Sequence, residues 1–199
     1  MQRRQATLAL IASAATLALA ACSRQDNTAA PSAAADGPPI PPAQAYDTLA
    51  QEGKGFTVGA LMAANTVYVL FDPQCPHCGH LWQSSIPLQS RVKFTWLPVA
   101  ILNAKSLPQG AAIVAASNPQ EAMNAHERSL LDGQGGTSAS ASIPPEVEAS
   151  IKQNTALLNR LGATSVPYIV AKHQGSGQVV SVAGAMGTEA LAQFLGMGQ

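Results

Sequence analysis

The sequence predicts an α/β domain with a mixed central sheet, in which a strand–helix–strand unit, a helical middle and a β-hairpin follow one another. Three observations carry this. The run "NTVYVLFD" is β-branched and aromatic with little polar interruption, as a strand buried on both faces requires. After helix-compatible residues, "VKFTWLPVAIL" repeats the signal at the spacing of a βαβ unit. Near the C-terminus "VPYIVA" and "QVVSVAG" are joined by a Gly-containing turn, which favours a hairpin.

Taken in order, the chain starts with Arg3 and Arg4 and an apolar stretch too short to span a bilayer comfortably, the layout of a signal peptide over residues 1–21. Leu19-Ala20-Ala21-Cys22 resembles a bacterial lipobox, which implies that Cys22 carries a lipid anchor to a membrane. Cleavage after Ala18-Leu19-Ala20 also fits. Either way the remainder lies outside the cytoplasm, in the periplasm of such a cell, where disulfides persist. Residues 22–42 are small, polar and proline-rich, a flexible tether. The folded domain is expected at 43–199, with a helical insertion at about 104–162.

Within the domain, "AQAYDTLAQEG" reads as a helix with Gly53 as a left-handed cap. Pro87 ends or kinks the helix that begins near the cysteine pair. Ser106 to Gln109 has capping-box spacing, and Asn118-Pro119 places an N-cap before a proline. Val147, Ile151, Leu158 and Leu161 line one face of a helix stopped by Gly162. "DGQGGTSASAS" is a loop, and Thr188 caps a final helix. Trp82 and Trp96 are expected in the core, and His126 and His173 solvated without a role.

Charged residues make up 11% and the formal net charge is +0, so no basic footprint for nucleic acid exists. The chemistry concentrates in Cys75-Pro76-His77-Cys78. Haem attachment requires histidine directly after the second cysteine, and Gly79 stands there. A zinc site lacks a second half-motif, although Cys75, His77, Cys78 and His80 are local. A structural disulfide over so short a loop removes little chain entropy.

Redox use fits better. With Cys75 as N-cap, Pro76 at N1, His77 at N2 and Cys78 at N3, the Cys75 sulfur faces the open N–H groups of the first turn. The helix dipole and His77 then favour its thiolate. A solvent-facing Cys75 becomes nucleophile and leaving group, and a deeper Cys78 resolves the mixed disulfide. Asp72 either moves the Cys78 proton or caps the turn before the helix.

Strand, C-P-H-C, kinked helix and the late "SVPYIV" together look like a thioredoxin-fold protein. The frame "VYVLFDPQCPHC" and "LNRLGATSVPYIV" resembles the catalytic domain of the periplasmic DsbC/DsbG thiol:disulfide interchange proteins over most of residues 60 to 199. That resemblance implies a cis-Pro167 facing the active site and Val166 docking substrate backbone. It also implies cysteine-containing exported proteins as substrates, a redox partner that recycles the pair, and no cofactor. Only about twenty residues of domain precede the first strand, too few for the dimerisation domain of those proteins, which points to a monomer. Pro76-His77 and Val166-Pro167 look like the pairs of the oxidase DsbA, so an oxidase or reductase is favoured over a dimeric isomerase. The rival reading is a lipoprotein that carries copper on Cys75, Cys78 and histidine.

Overall fold

The computed structural model describes residues 37–64 and 66–198. The expected signal peptide, Cys22 and most of the tether lie outside the described residues.

A five-stranded mixed sheet forms the centre, in the order β1 (Phe56–Gly59), β3 (Lys93–Pro98), β2 (Thr66–Phe71), β4 (Tyr168–Lys172), β5 (Val179–Ala183). Strand β2 (Thr66–Phe71) is buried throughout, because both faces of its Val, Tyr, Leu and Phe side chains are covered. Helix α2 (Pro76–Ser85) leads to β3 (Lys93–Pro98), which pairs parallel to β2 with Val69 opposite Trp96. A 3₁₀ turn at Ile86–Leu88 follows α2, since Pro87 cannot continue its hydrogen-bond ladder. Strands β4 (Tyr168–Lys172) and β5 (Val179–Ala183) form the antiparallel hairpin, and β4 pairs with β2.

Strand β1 (Phe56–Gly59) was not anticipated; it adds to β3 antiparallel at the sheet edge. Four residues, preceded by Gly55 and ending on Gly59, carry too weak a pattern for sequence reading. Gly55 is needed there, because a Cβ would lie 1.9 Å from the Trp96 carbonyl oxygen.

Helices α3 (Ser106–Val114), α4 (Pro119–Leu131) and α5 (Pro145–Arg160) lie between β3 and β4, as the insertion reading expects. Asn118 caps α4 by accepting from the Glu121 N–H at 3.2 Å. Gly162 follows α5 with φ +69°.

Three caps differ from expectation. Gly53 ends α1 (Ala45–Glu52) in extended backbone, φ −64°, so it is not a left-handed cap. Lys105, not Ser106, precedes α3; the Ser106 hydroxyl instead accepts from the Asn103 N–H. Gly187 caps α6 (Thr188–Phe194), and the Thr188 hydroxyl donates to the Ser84 carbonyl. In the second a loop N–H three residues back, and in the third a helix brought near by folding, competes for the hydroxyl. Ordered packing also starts before residue 43. Ile40 is buried and its N–H donates to the Arg160 carbonyl at 2.7 Å.

Trp82 and Trp96 are fully buried, with ring centroids 5.0 Å apart, and join Phe56 and Phe71 in an aromatic core.

Candidate active site

Strand β2 delivers the chain to the site. After Phe71, Asp72 turns it: one carboxylate oxygen accepts from the Gln74 N–H at 2.8 Å. The other accepts from the N–H groups of Ile101 and Leu102, at 2.8 and 3.0 Å. Asp72 is wholly buried, and three backbone donors satisfy it. Of the two expected roles, the geometry supplies the capping one.

Cys75 takes the N-cap position in extended backbone and Pro76 opens the helix, as expected. The Cys75 thiol donates to the Val166 carbonyl at 3.4 Å, although 91 residues separate them. The Val166–Pro167 peptide is cis. The two stretches that carried the family resemblance therefore meet at one sulfur.

The two thiols differ in proton affinity. Cys75 is lowered to about 6, first by the hydrogen bond from the Cys78 thiol. Burial opposes this, while the backbone N–H groups of Cys78 and His77 and the charge on His77 add to it. The Val166 contact serves the thiol alone, because a thiolate has no proton to donate. Cys78 is pushed well above its usual value by burial, then by the Cys75 sulfur. One sulfur is poised to react near neutral pH and the other keeps its proton.

One expectation needs correction. Cys75 does not stand open to solvent: the residue retains 5% of its surface and Cys78 none. The contact with Val166 reduces access, while the chain neighbours Pro76, His77, Thr164 and Ser165 are exposed. Both cysteines are present as free thiols.

His126 also departs from expectation, being wholly buried. Its Nδ1 accepts from the Thr137 N–H at 3.2 Å, which assigns the proton to Nε2 for donation to the Pro73 carbonyl at 2.7 Å. Burial lowers its affinity for a second proton, so it clamps the loop before Cys75 as a neutral ring. Gly136, at φ +84°, leaves room for that ring, since a Cβ there would lie 2.3 Å from it. His173 is partly exposed and accepts from the Ser176 N–H.

The sequence reading missed Glu127. It is 1% exposed, and neither carboxyl oxygen has a hydrogen-bond partner. Burial first, then the Cys75 and Asp72 charges, raise it to about 9. Among the described residues no group of three or more His, Cys, Asp or Glu side chains is placed to hold a metal ion.

Fold and site together define a thioredoxin-fold protein with a CxxC pair at a helix N-terminus. The solved catalytic domain of Proteus mirabilis ScsC matches 76% of this chain and 95% of its own length, with a TM-score of 0.59 at 16% identity. A thioredoxin-like oxidoreductase from Silicibacter pomeroyi matches with a TM-score of 0.57 at 22% identity, over 75% of this chain and 94% of that one. In sequence, the chain is similar to the thiol:disulfide interchange protein DsbG of Pseudomonas aeruginosa, 30% identical over 141 residues. That match covers 69% of this chain and 54% of the relative, so the chain spans about half the length of the curated protein. No family model matches the sequence.

Proposed function

We propose that the protein is a thiol:disulfide oxidoreductase that exchanges disulfides with cysteine-containing exported proteins in the periplasm. One observation carries the reading. Cys75, at the start of α2, holds its proton weakly while Cys78, one turn deeper, holds its own tightly.

In the oxidising direction a substrate thiolate attacks the Cys75 sulfur of the Cys75–Cys78 disulfide. The substrate–Cys75 bond forms, the Cys75–Cys78 bond breaks, and Cys78 takes the electron pair and a proton. A second substrate thiolate then attacks the first substrate's sulfur and expels Cys75 as a thiolate. The reduced pair hands its two electrons to a recycling partner.

The features that favour the Cys75 thiolate also favour the reduced form, so the disulfide is an oxidant. Pro76 and His77 tune that balance, the first by starting the helix and the second by its charge and N–H. Val166 and Pro167 dock an extended substrate segment, and the carbonyl beside the sulfur is the group such a strand would meet. The resemblance to DsbG supports the activity and the compartment. Cys22 supplies a lipid tether to the membrane, and the domain acts as a monomer, which favours oxidase or reductase work over dimeric isomerisation.

The test is the reduction potential of the Cys75–Cys78 pair, measured against glutathione. A strongly oxidising value supports an oxidase, and a thioredoxin-like value supports a reductase. Failure to form a reversible Cys75–Cys78 disulfide would overturn the assignment.

A further inference from the structure

The turn that joins β1 to β2 breaks the usual chemistry of turns. Gly59 to Ala64 reads Gly-Ala-Leu-Met-Ala-Ala, without a polar side chain. The Ala63 N–H donates to the Ala60 carbonyl at 2.8 Å, which closes a β-turn with Leu61 and Met62 at its central positions. Polar residues, glycine or proline normally stand there, because the tip of a turn faces water. Here Leu61 is 64% exposed and Met62 97%. An ordered run of exposed apolar residues works against solubility and is kept where it serves a contact.

The tip is held in place and has a charged collar. Gly59 takes φ +92°, and the Ala60 N–H donates to the Val92 carbonyl at 3.0 Å. That bond, with Gly59 opposite Lys93 in the sheet, sets the tip beside Arg91 and Lys93. Arg91 is exposed and Lys93 half-buried, and neither forms an ion pair among the described residues. No Asp or Glu occurs in residues 53–71 or 73–120, so the chain around the tip brings no acid with it. Glu189 of α6 lines a cavity with Arg91 but stands beyond ion-pair distance.

The tip also lies at a defined end of the molecule. Strands β2 and β3 run parallel, from Thr66 opposite Lys93 to Phe71 opposite Pro98. Asp72 and Cys75 follow at the far end, about 17 Å of strand away.

We propose that the 60–64 turn is a membrane-docking tip: Leu61 and Met62 enter the interface of a lipid bilayer while Arg91 and Lys93 meet its anionic headgroups. An apolar wedge beside two unpaired cations matches both layers of that surface. A second copy of the chain matches it less well. A two-fold contact sets the patch against itself and brings Arg91 and Lys93 toward their own counterparts. Two apolar side chains and two charges make a weak, reversible contact, of the kind that supplements a lipid anchor. Docked this way, the domain turns Cys75 and the Val166–Pro167 peptide away from the bilayer. The inference does not depend on the redox reading.

The experiment exposes the full chain to hydroxyl radicals and follows methionine oxidation by mass spectrometry, in buffer and on vesicles of phosphatidylcholine with phosphatidylglycerol. Met62 reports the tip. Met186, partly exposed just beyond β5, reports the cysteine end, where the Gly184 N–H donates to the Pro167 carbonyl. On these vesicles Met62 is expected to oxidise about fivefold or more slowly, while Met186 keeps its rate in buffer. Leu61→Asp, a change on the surface, is expected to return Met62 to its rate in buffer. Arg91→Gln with Lys93→Gln, or vesicles of phosphatidylcholine alone, should lose most of the protection. Met62 oxidised on anionic vesicles at its rate in buffer overturns the proposal, as does equal protection of Met62 and Met186. Protection that needs no lipid and grows with protein concentration also overturns it, and assigns the tip to a second copy.

Discussion

The strand–helix–strand unit and the helical insertion build the two walls of the same site in opposite ways. In the first, Asp72, Cys75 and Cys78 fall within seven residues, and each takes its place from a local rule: a turn, an N-cap, a first helical turn. In the insertion, His126 and Glu127 sit mid-helix with nothing local to mark them, and they matter because α4 docks on α2. Reactivity is written next to the cysteines, while the setting that holds them comes from some fifty residues away.

Six substitutions test that division, the largest expected effect first. Cys75→Ala is expected to abolish exchange with a reduced or scrambled model protein, and Cys78→Ala to accumulate mixed disulfides with substrates. Retained turnover in Cys75→Ala would place the chemistry elsewhere. Alkylation of the native reduced protein sharpens the same point. Cys75 should react with a midpoint near its lowered value of about 6 and Cys78 should not, and an inert Cys75 would mean that its cover is closed to substrates.

The wall from the insertion comes next. His126→Ala removes a buried ring and leaves the Pro73 carbonyl unpaired, for an expected loss of about 3 kcal/mol in chemical denaturation. A loss confined to a few tenths would show that the clamp is dispensable. Glu127 acts with the opposite sign. Its folded proton affinity is raised, so between pH 4.5 and about 9 the folded state binds a proton that the unfolded chain releases. Stability therefore falls as pH rises across that window. Relative to Glu127→Gln, the wild type should lose up to about 1.4 kcal/mol per pH unit there, and parallel stability curves would contradict it.

Gly79→Ala probes the contact between the walls. The new Cβ must displace the Glu127 carboxyl and Leu131, at an expected cost of about 1–2 kcal/mol after the gain in helix propensity. His77→Ala should have the smallest effect, because its charge comes last among the causes acting on Cys75. The alkylation midpoint should rise by less than about one pH unit. A larger rise would make His77, and not the helix start and Cys78, the main source of activation.

The same contrast runs through what could be read in advance. Pro87, Asn118-Pro119 and Gly162 announced helix boundaries because each acts through its own backbone geometry. Ser106 and Thr188 misled because their hydroxyls had a choice of partners: Ser106 took the Asn103 N–H three residues back, and Thr188 the Ser84 carbonyl that folding brought near. His126 and Glu127 did leave a trace: with Met123 they lie at i, i+3 and i+4, and that face of α4 is buried. Polar residues on such a face break the apolar pattern, so periodicity alone gives them to solvent.

The sequence by itself determined the α/β alternation and the position of Cys75 at a helix start, because short-range sterics and open N–H groups act within one turn. Only the tertiary structure decided that Val166 lies against Cys75 and that the buried Glu127 carboxyl rests against Gly79. Those facts depend on which surfaces meet when the hairpin and α4 close on the sheet, and burial and charge proximity are properties of that meeting, carried by no single segment.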